Sequence, residues 1–312
     1  MTMFAFVFPG QGSQSVGMLD AWGDHPAVRH TLQEASDALG EDVAALIAAG
    51  PKDRLDLTTN TQPVMLTAGI ACWRAWQEDV GAMPCVLAGH SLGEYTALVA
   101  AGSLTLAHAL PLVRFRAQAM QDAVPVGAGG MAAILGLEAD QVREGCAEAE
   151  AVSGEPVQAV NFNDPKQTVI AGSKAGVDKA CEVLKARGAK RALPLPVSAP
   201  FHSSLMRPAA DRLKGELETT HFLSPQLPVI NNIDVRPETE PARIRDALFR
   251  QAFGPVRWVE TVQAIHALGV RHVVECGPGR VLSGMVKRIA PDIVAVGAAD
   301  PASMADAARQ LA

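Results

Sequence analysis

Ser91 stands in the segment Val86-Leu87-Ala88-Gly89-His90-Ser91-Leu92-Gly93-Glu94. An apolar run ends at Gly89, and a helical pattern follows over 95–101. A serine between two such glycines, on a sharp strand-to-helix turn, holds its hydroxyl out of the sheet as a nucleophile. A Cβ at either flank would crowd that turn. A serine hydroxyl attacks only when a base takes its proton, and the near-neutral pKa of histidine suits that task. Of the eight histidines, His25, His30, His108, His221 and His266 sit in or beside predicted amphipathic helices, and His272 opens a predicted strand. His90 adjoins the serine, but at an elbow its side chain should face away. His202 follows the rigid Ala199-Pro200-Phe201 turn and is the favoured base.

An acid to orient that base is not evident. Hydrolases with this elbow carry an Asp or Glu between serine and histidine in the chain. Here the acids from Asp122 to Asp178 fall mostly in what reads as a separate subdomain, and Glu94 beside the nucleophile does not stand out. A backbone or amide carbonyl would fix the imidazole tautomer instead. It stabilises imidazolium less than a carboxylate does, which suffices for an activated ester such as a thioester. The helix predicted over 105–123 has Leu106, Leu110, Val113, Ala117 and Met120 on one face. At about 100° per residue, Arg114 and Arg116 flank that face almost symmetrically. Periodicity leaves the two equivalent, each by default a snorkelling surface arginine.

The elements that must position these groups alternate between strand and helix. Phe4–Phe8 reads as a buried strand stopped by Pro9-Gly10. The loop Gly10-Gln11-Gly12-Ser13-Gln14 begins like a dinucleotide fingerprint, but Ser15 stands where the third glycine belongs. Its backbone N–H groups can still hold an anion. Helices are predicted over 26–39, 42–49 and 60–79. From Pro125-Val126-Gly127 the texture changes to strand 131–137, helix 139–151, strands 157–162 and 168–171, helix 174–187 and strand 190–197. That βαββαβ order is ferredoxin-like. No element is predicted between Met206 and Val229. Beyond it come strand 229–233, helices 241–253 and 259–268, strand 270–274, helix 281–289, strand 293–296 and helix 303–311. The fold class is α/β, with a parallel sheet in the main body. The expected domains are a body over 1–126 and 198–312 and an inserted subdomain over 127–197.

Composition narrows the partners. Among 312 residues, 48% are hydrophobic and 19% charged, which suits a globular enzyme with a real core. A net charge of −6 disfavours nucleic acid. The five cysteines are scattered without a C-x-x-C pair, so reduced cytosolic thiols are expected rather than zinc or disulfides. No basic segment precedes Phe4 and no apolar run approaches a membrane span, so an unexported chain in the cytoplasm is expected.

Four segments in this order and spacing resemble one family: Phe8-Pro9-Gly10-Gln11-Gly12-Ser13-Gln14, Gly89-His90-Ser91-Leu92-Gly93-Glu94, Pro200-Phe201-His202-Ser203-Ser204-Leu205-Met206 and Glu275-Cys276-Gly277-Pro278-Gly279. Over essentially its whole length the chain resembles the malonyl-CoA:acyl-carrier-protein transacylases of dissociated fatty-acid synthases. The resemblance implies an α/β-hydrolase-like large domain with a short parallel sheet, plus the ferredoxin-like insert. It implies that Ser91 is acylated, that His202 is the base, and that the backbone N–H groups of Gln11 and Leu92 form the oxyanion hole. It assigns the malonyl carboxylate to Arg116 and the histidine-orienting main-chain carbonyl to Gln251. Leu92 stands where methylmalonyl-selective relatives often carry Gln, and Phe201 precedes the histidine as in many malonyl-selective domains. Both favour malonyl, the second only weakly.

The implied partners are malonyl-CoA and acyl carrier protein, with no bound cofactor, no metal, no nucleic acid and no membrane. The carrier is acidic, so docking needs a local basic patch. Lys185, Arg187, Lys190, Arg191, Lys287 and Arg288 are the candidates. Competing readings are a serine esterase or thioesterase, opposed by the missing acid and the carboxylate-reading arginine, and a non-catalytic carrier-binding module, opposed by the intact Ser91 and His202. An acyltransferase serving a polyketide pathway would share all of these residues.

Overall fold

The computed structural model describes residues 3–197 and 199–312. Its main sheet has five parallel strands: β1 (Phe4–Phe8), β2 (Val86–Gly89), and, after the inserted layer, β7 (Val229–Ile230), β8 (His272–Cys276) and β9 (Val294–Ala298), in the order β7-β2-β1-β8-β9. The central strand β1 is buried at every residue, as a strand covered on both faces must be. Its alternation assigns the faces. Phe4, Phe6 and Phe8 turn to one side, where Phe6 meets Trp73 and Trp76 edge-on at centroid distances of 5.4 and 4.9 Å. Ala5 and Val7 turn to the other, against Trp258, Val262 and Val286.

The first helices are α1 (Pro26–Leu39), α2 (Val43–Ala49), α3 (Lys52–Leu55), α4 (Thr58–Asp79), α5 (Leu92–Ala100) and α6 (Leu106–Asp122). The small sheet comprises β3 (Gly129–Leu135), β4 (Val157–Asp164), β5 (Gln167–Ser173) and β6 (Arg191–Pro194). It is antiparallel throughout, in the order β4-β5-β3-β6. Helices α7 (Ala139–Ser153) and α8 (Lys174–Ala186) cover one of its faces. Its other face, with Met131, Ala133, Val160 and Val169, meets Leu195, Val197 and Phe201. The remaining helices are α9 (Arg207–Thr219), α10 (Pro241–Phe253), α11 (Trp258–Ala267), α12 (Val281–Ile289) and α13 (Pro301–Leu311).

The fold is therefore mixed α/β, with a parallel sheet and a separate antiparallel sheet. The two are stitched along β4. Phe162 N–H donates to the Val256 carbonyl at 3.0 Å, and Val256 N–H to that of Val160 at 2.8 Å. Arg288 Nε reaches Asp164 Oδ2 at 2.6 Å.

Boundaries moved by a few residues from expectation. Strand 131–137 runs over 129–135, and strand 229–233 shortens to Val229–Ile230. Besides the short α3, the element absent from the sequence reading is α9. Its signal was present in Ala209, Ala210, Leu213 and Leu217, all buried on one face, with Pro208 in the first turn. Among the described residues no helix is long and apolar enough to cross a membrane. The five cysteines are free thiols.

Candidate active site

Ser91 sits where β2 gives way to α5, with φ 53° and ψ −105°. Only the surrounding structure can hold a non-glycine residue there. A Cβ on Gly89 would lie 1.9 Å from the Gly93 carbonyl, and one on Gly93 would lie 2.1 Å from the Phe8 carbonyl oxygen. No side chain fits either gap, which is the steric reason for both glycines. Asn232, in the loop after β7, braces the turn. Its Oδ1 accepts from Ser91 N–H at 2.7 Å and its Nδ2 donates to the Gly89 carbonyl at 2.7 Å.

His202 also has a positive φ, 66°, and Ser203 Oγ closes that turn by donating to the Pro200 carbonyl at 2.7 Å. This places His202 Nε2 2.7 Å from Ser91 Oγ. On the other side of the ring, Nδ1 lies 2.9 Å from the main-chain carbonyl of Gln251, in the last turn of α10. A carbonyl only accepts, so Nδ1 carries the hydrogen and Nε2 keeps the lone pair that faces the serine hydroxyl. Burial, and then the charge of Arg116, hold His202 well below its usual range, at about 3. The imidazole is therefore neutral, with the Nε2 lone pair unprotonated beside the serine hydroxyl.

The structure separates the two arginines that periodicity left equivalent. Arg114 forms an ion pair with Glu41. Arg116 is only 2% exposed and enters the site, with Nη2 3.1 Å from Ser91 Oγ and 3.1 Å from Gln251 Oε1, and Nη1 2.7 Å from Gln62 Oε1. Among the described residues, every group that accepts from it is neutral. Burial lowers its pKa from the ordinary guanidinium value, while Tyr95 and Glu94 act to raise it.

A cavity of ≈ 200 Å³ is lined by Ser91, Leu92, Gln11, Arg116 and His202, with Met131 and Val169 of the small sheet among its apolar residues. The Gln11 loop is held by Gln11 Nε2 donating to Thr58 Oγ1 at 3.2 Å and Gln14 Nε2 to Asp56 Oδ1 at 2.9 Å. The Gln11 and Leu92 backbone N–H groups have no acceptor among the described residues. They are the two expected oxyanion donors.

The structure thus gathers Ser91, His202, Arg116, Gln251, Gln11 and Leu92 around one cavity. It also adds partners. His90 is among the residues lining this cavity; its ring packs against Trp258 at a centroid distance of 5.6 Å, and its Nε2 pairs with Asn163 Oδ1 at 2.8 Å, joining the elbow to β4. Sequence reasoning missed Asn232 and Gln62 and passed over Glu94. Only the proximity of Glu94 to Ser91 in the chain could have marked it. Of the six candidate docking cations, Arg187 is taken by Glu144 and Glu148 and Arg288 by Asp164. Lys185, Lys190, Arg191 and Lys287 pair with no carboxylate among the described residues.

Comparison with known proteins gives the chain a family. Residues 5–304 match the family model of the acyl transferase domain. The malonyl CoA-acyl carrier protein transacylase of Salmonella typhimurium is 52% identical over 311 residues, covering 99% of this chain and 100% of that one. An acyl-carrier-protein S-malonyltransferase from Burkholderia pseudomallei superposes with a TM-score of 0.97 at 64% identity, over 99% of this chain and 100% of that one. A further structure, described as a type II PKS acyl-carrier protein in complex with its malonyl-transacylase, has a TM-score of 0.97 at 49% identity, over 99% and 100% of the two chains. With the elbow, the buried arginine and this likeness over nearly the full length, the chain belongs to the acyl transferase domain family and groups within it with the malonyl CoA-acyl carrier protein transacylases.

Proposed function

We propose that this chain carries malonyl groups from malonyl-CoA to the pantetheine thiol of an acyl carrier protein, through a malonyl ester on Ser91, and so supplies fatty-acid chain extension. The observation that carries this reading is Arg116: a buried guanidinium 3.1 Å from the serine oxygen, in a cavity, donating to no carboxylate among the described residues. A guanidinium grips a carboxylate through two parallel hydrogen bonds, so the acyl group read here carries a free acid end.

The geometry supports a ping-pong course. His202 Nε2 takes the proton of Ser91 Oγ as the oxygen attacks the thioester carbonyl carbon. The Gln11 and Leu92 N–H groups hold the oxyanion, each donor contributing about 3 kcal/mol. The C–S bond breaks, and the His202 proton passes to the coenzyme A sulfur. The carrier thiol then gives its proton to His202, attacks the ester, and returns Ser91 to its hydroxyl form. Gln251 turns the imidazole throughout. The coenzyme A thioester and the pantetheine arm are substrates, and the scheme uses no bound cofactor.

We read the main body as α/β-hydrolase-like and the insert over 127–197 as a ferredoxin-like subdomain. The strand order β4-β5-β3-β6 supports the second assignment. The free cysteines are in keeping with work in a reducing cytoplasm. The unpaired Lys185, Lys190, Arg191 and Lys287 are the proposed docking cations. They form no single cluster: Lys190 and Arg191 mark the β6 edge of the small sheet, while Lys287 adjoins Arg288, bound at the end of β4. Three inter-strand steps, about 14 Å, separate those edges.

Intact mass after brief mixing with malonyl-CoA tests the reading. A lasting malonyl adduct, absent from Ser91→Ala, is expected. Rapid release of free malonate would make the protein a thioesterase, and no adduct would make it a carrier-binding module. A second reading keeps the chemistry and changes the carrier, since one similar structure holds a polyketide carrier. Comparing KM for a fatty-acid and a polyketide carrier decides between them.

A further inference from the structure

Glu94 has no part in the steps above, yet it is only 2% exposed beneath the nucleophile. Its Oε2 accepts from Asn232 N–H at 2.8 Å and from Gln251 Nε2 at 2.9 Å. The Gln251 side-chain amide is thereby held from three directions. Its Nε2 donates to Glu94 and, at 3.1 Å, to the Ser91 carbonyl, while its Oε1 accepts from Arg116 Nη2 at 3.1 Å. Turned over, that amide would set its oxygen against a carboxylate and a carbonyl, and its N–H against a guanidinium. The Ser91 carbonyl already accepts from Glu94 N–H at 3.1 Å, so Glu94 is the acceptor that chiefly decides which end of the amide faces which neighbour.

We propose that Glu94 is a positioning residue: by accepting from Gln251 Nε2 it turns Gln251 Oε1 toward Arg116 and so sets the guanidinium for the acyl carboxylate. This rests on the acyl-transfer reading above and adds to it the source of malonyl selectivity. Gln251 then serves two purposes with different atoms. Its main-chain carbonyl turns the base, and its side chain aims the acid reader. Only the second depends on Glu94.

The charged groups that face Glu94 are Arg116 from α6 and Asp234 from the loop after β7, and burial raises its carboxyl to about 7. The clamp uses one oxygen, Oε2, and a protonated carboxyl or a primary amide still presents one accepting oxygen. What matters is therefore an acceptor at the right reach rather than the charge.

Three variants separate these terms: Glu94→Ala removes the acceptor, Glu94→Asp keeps the charge and shortens the reach, and Glu94→Gln keeps the reach and removes the charge. The readout is kcat/KM for malonyl-CoA and for acetyl-CoA, whose acyl group has no carboxylate. Loss of a buried hydrogen bond predicts about a tenfold fall in malonyl-over-acetyl preference for Glu94→Ala and Glu94→Asp. Glu94→Gln is expected to restore most of that preference. If Glu94→Ala does not fold, Glu94→Asp carries the same prediction. An unchanged preference in either variant, an equal loss for both substrates, or failure of Glu94→Gln to restore it overturns the proposal. Failure of the wild-type protein to form a malonyl-Ser91 adduct would overturn the acyl-transfer reading instead, whatever the Glu94 variants do.

Discussion

The Nδ1–H of His202 donates to the main-chain carbonyl of Gln251 at 2.9 Å, where an elbow hydrolase would keep a carboxylate. A carbonyl fixes the ring without adding negative charge. Its hydrogen bond acts to raise His202, but it is outweighed by burial and the Arg116 charge, which push the ring down to about 3. The base is therefore neutral across the working range, and kcat/KM for malonyl-CoA should stay level from about pH 8 to about pH 5. A fall with a midpoint near 6.5, the ordinary histidine value, would show that the free enzyme binds a proton at this ring.

Stability should respond to pH through two buried groups of opposite sign. His202 titrates at 6.5 when unfolded and at about 3 when folded. Within that window only the unfolded chain binds the proton, so the His202 contribution is lost as pH falls. Glu94 titrates at 4.5 unfolded and at about 7 folded. Within its window the folded state holds the extra proton, so that contribution is lost as pH rises. Melting temperatures measured across pH should separate them. His202→Asn should gain on the wild type as pH falls from 6.5, and Glu94→Gln should gain on it as pH rises from 4.5 to about 7. Parallel curves for wild type and variants would deny both shifts.

Arg116→Ala should lose malonyl transfer by about a hundredfold or more, the effect of removing charge-assisted hydrogen bonds of about 1.5–3 kcal/mol each, and should lose acetyl transfer far less. Arg116→Lys keeps the charge but not the planar fork, so it should recover only part of the malonyl rate. Equal losses for the two acyl groups would mean that Arg116 does not read the carboxylate.

Reversing charge at Lys190 and Arg191 should raise KM for the carrier and leave Ser91 acylation by malonyl-CoA unchanged, with an effect that shrinks as salt is added. The expected change is modest, because the pair is exposed and lies apart from Lys287. An unaltered carrier KM would remove this edge from the docking surface.

The parts of the site legible in the sequence are those whose chemistry depends on a side chain in a tight local setting. Ser91 and its glycines declare themselves because the turn leaves no room for a Cβ on Gly89 or Gly93. His202 follows from the rigid turn before it. Periodicity could not choose between Arg114 and Arg116, because the choice depends on Glu41 lying across from α6; only the family resemblance made it. The orienting role of Gln251 left no mark on composition, since every residue has a carbonyl and only the end of α10 places this one. Asn232 was equally silent, lying 141 positions from the Ser91 N–H it accepts. The α/β alternation and the βαββαβ order were readable from periodicity. The length of β7 was not, because only Val229 and Ile230 pair with β2 before Asn231 and Asn232 turn to side-chain hydrogen bonds.

One hydrogen bond described above bears on the order of events. Ser91 Oγ accepts from Arg116 while it faces His202. A cation drawing on the oxygen's lone pair makes it a weaker attacker of whatever ester or thioester drifts in. A carboxylate bound to that same guanidinium competes with the serine oxygen for its N–H groups. Reading the acid end and freeing the oxygen beside it thus fall to one side chain.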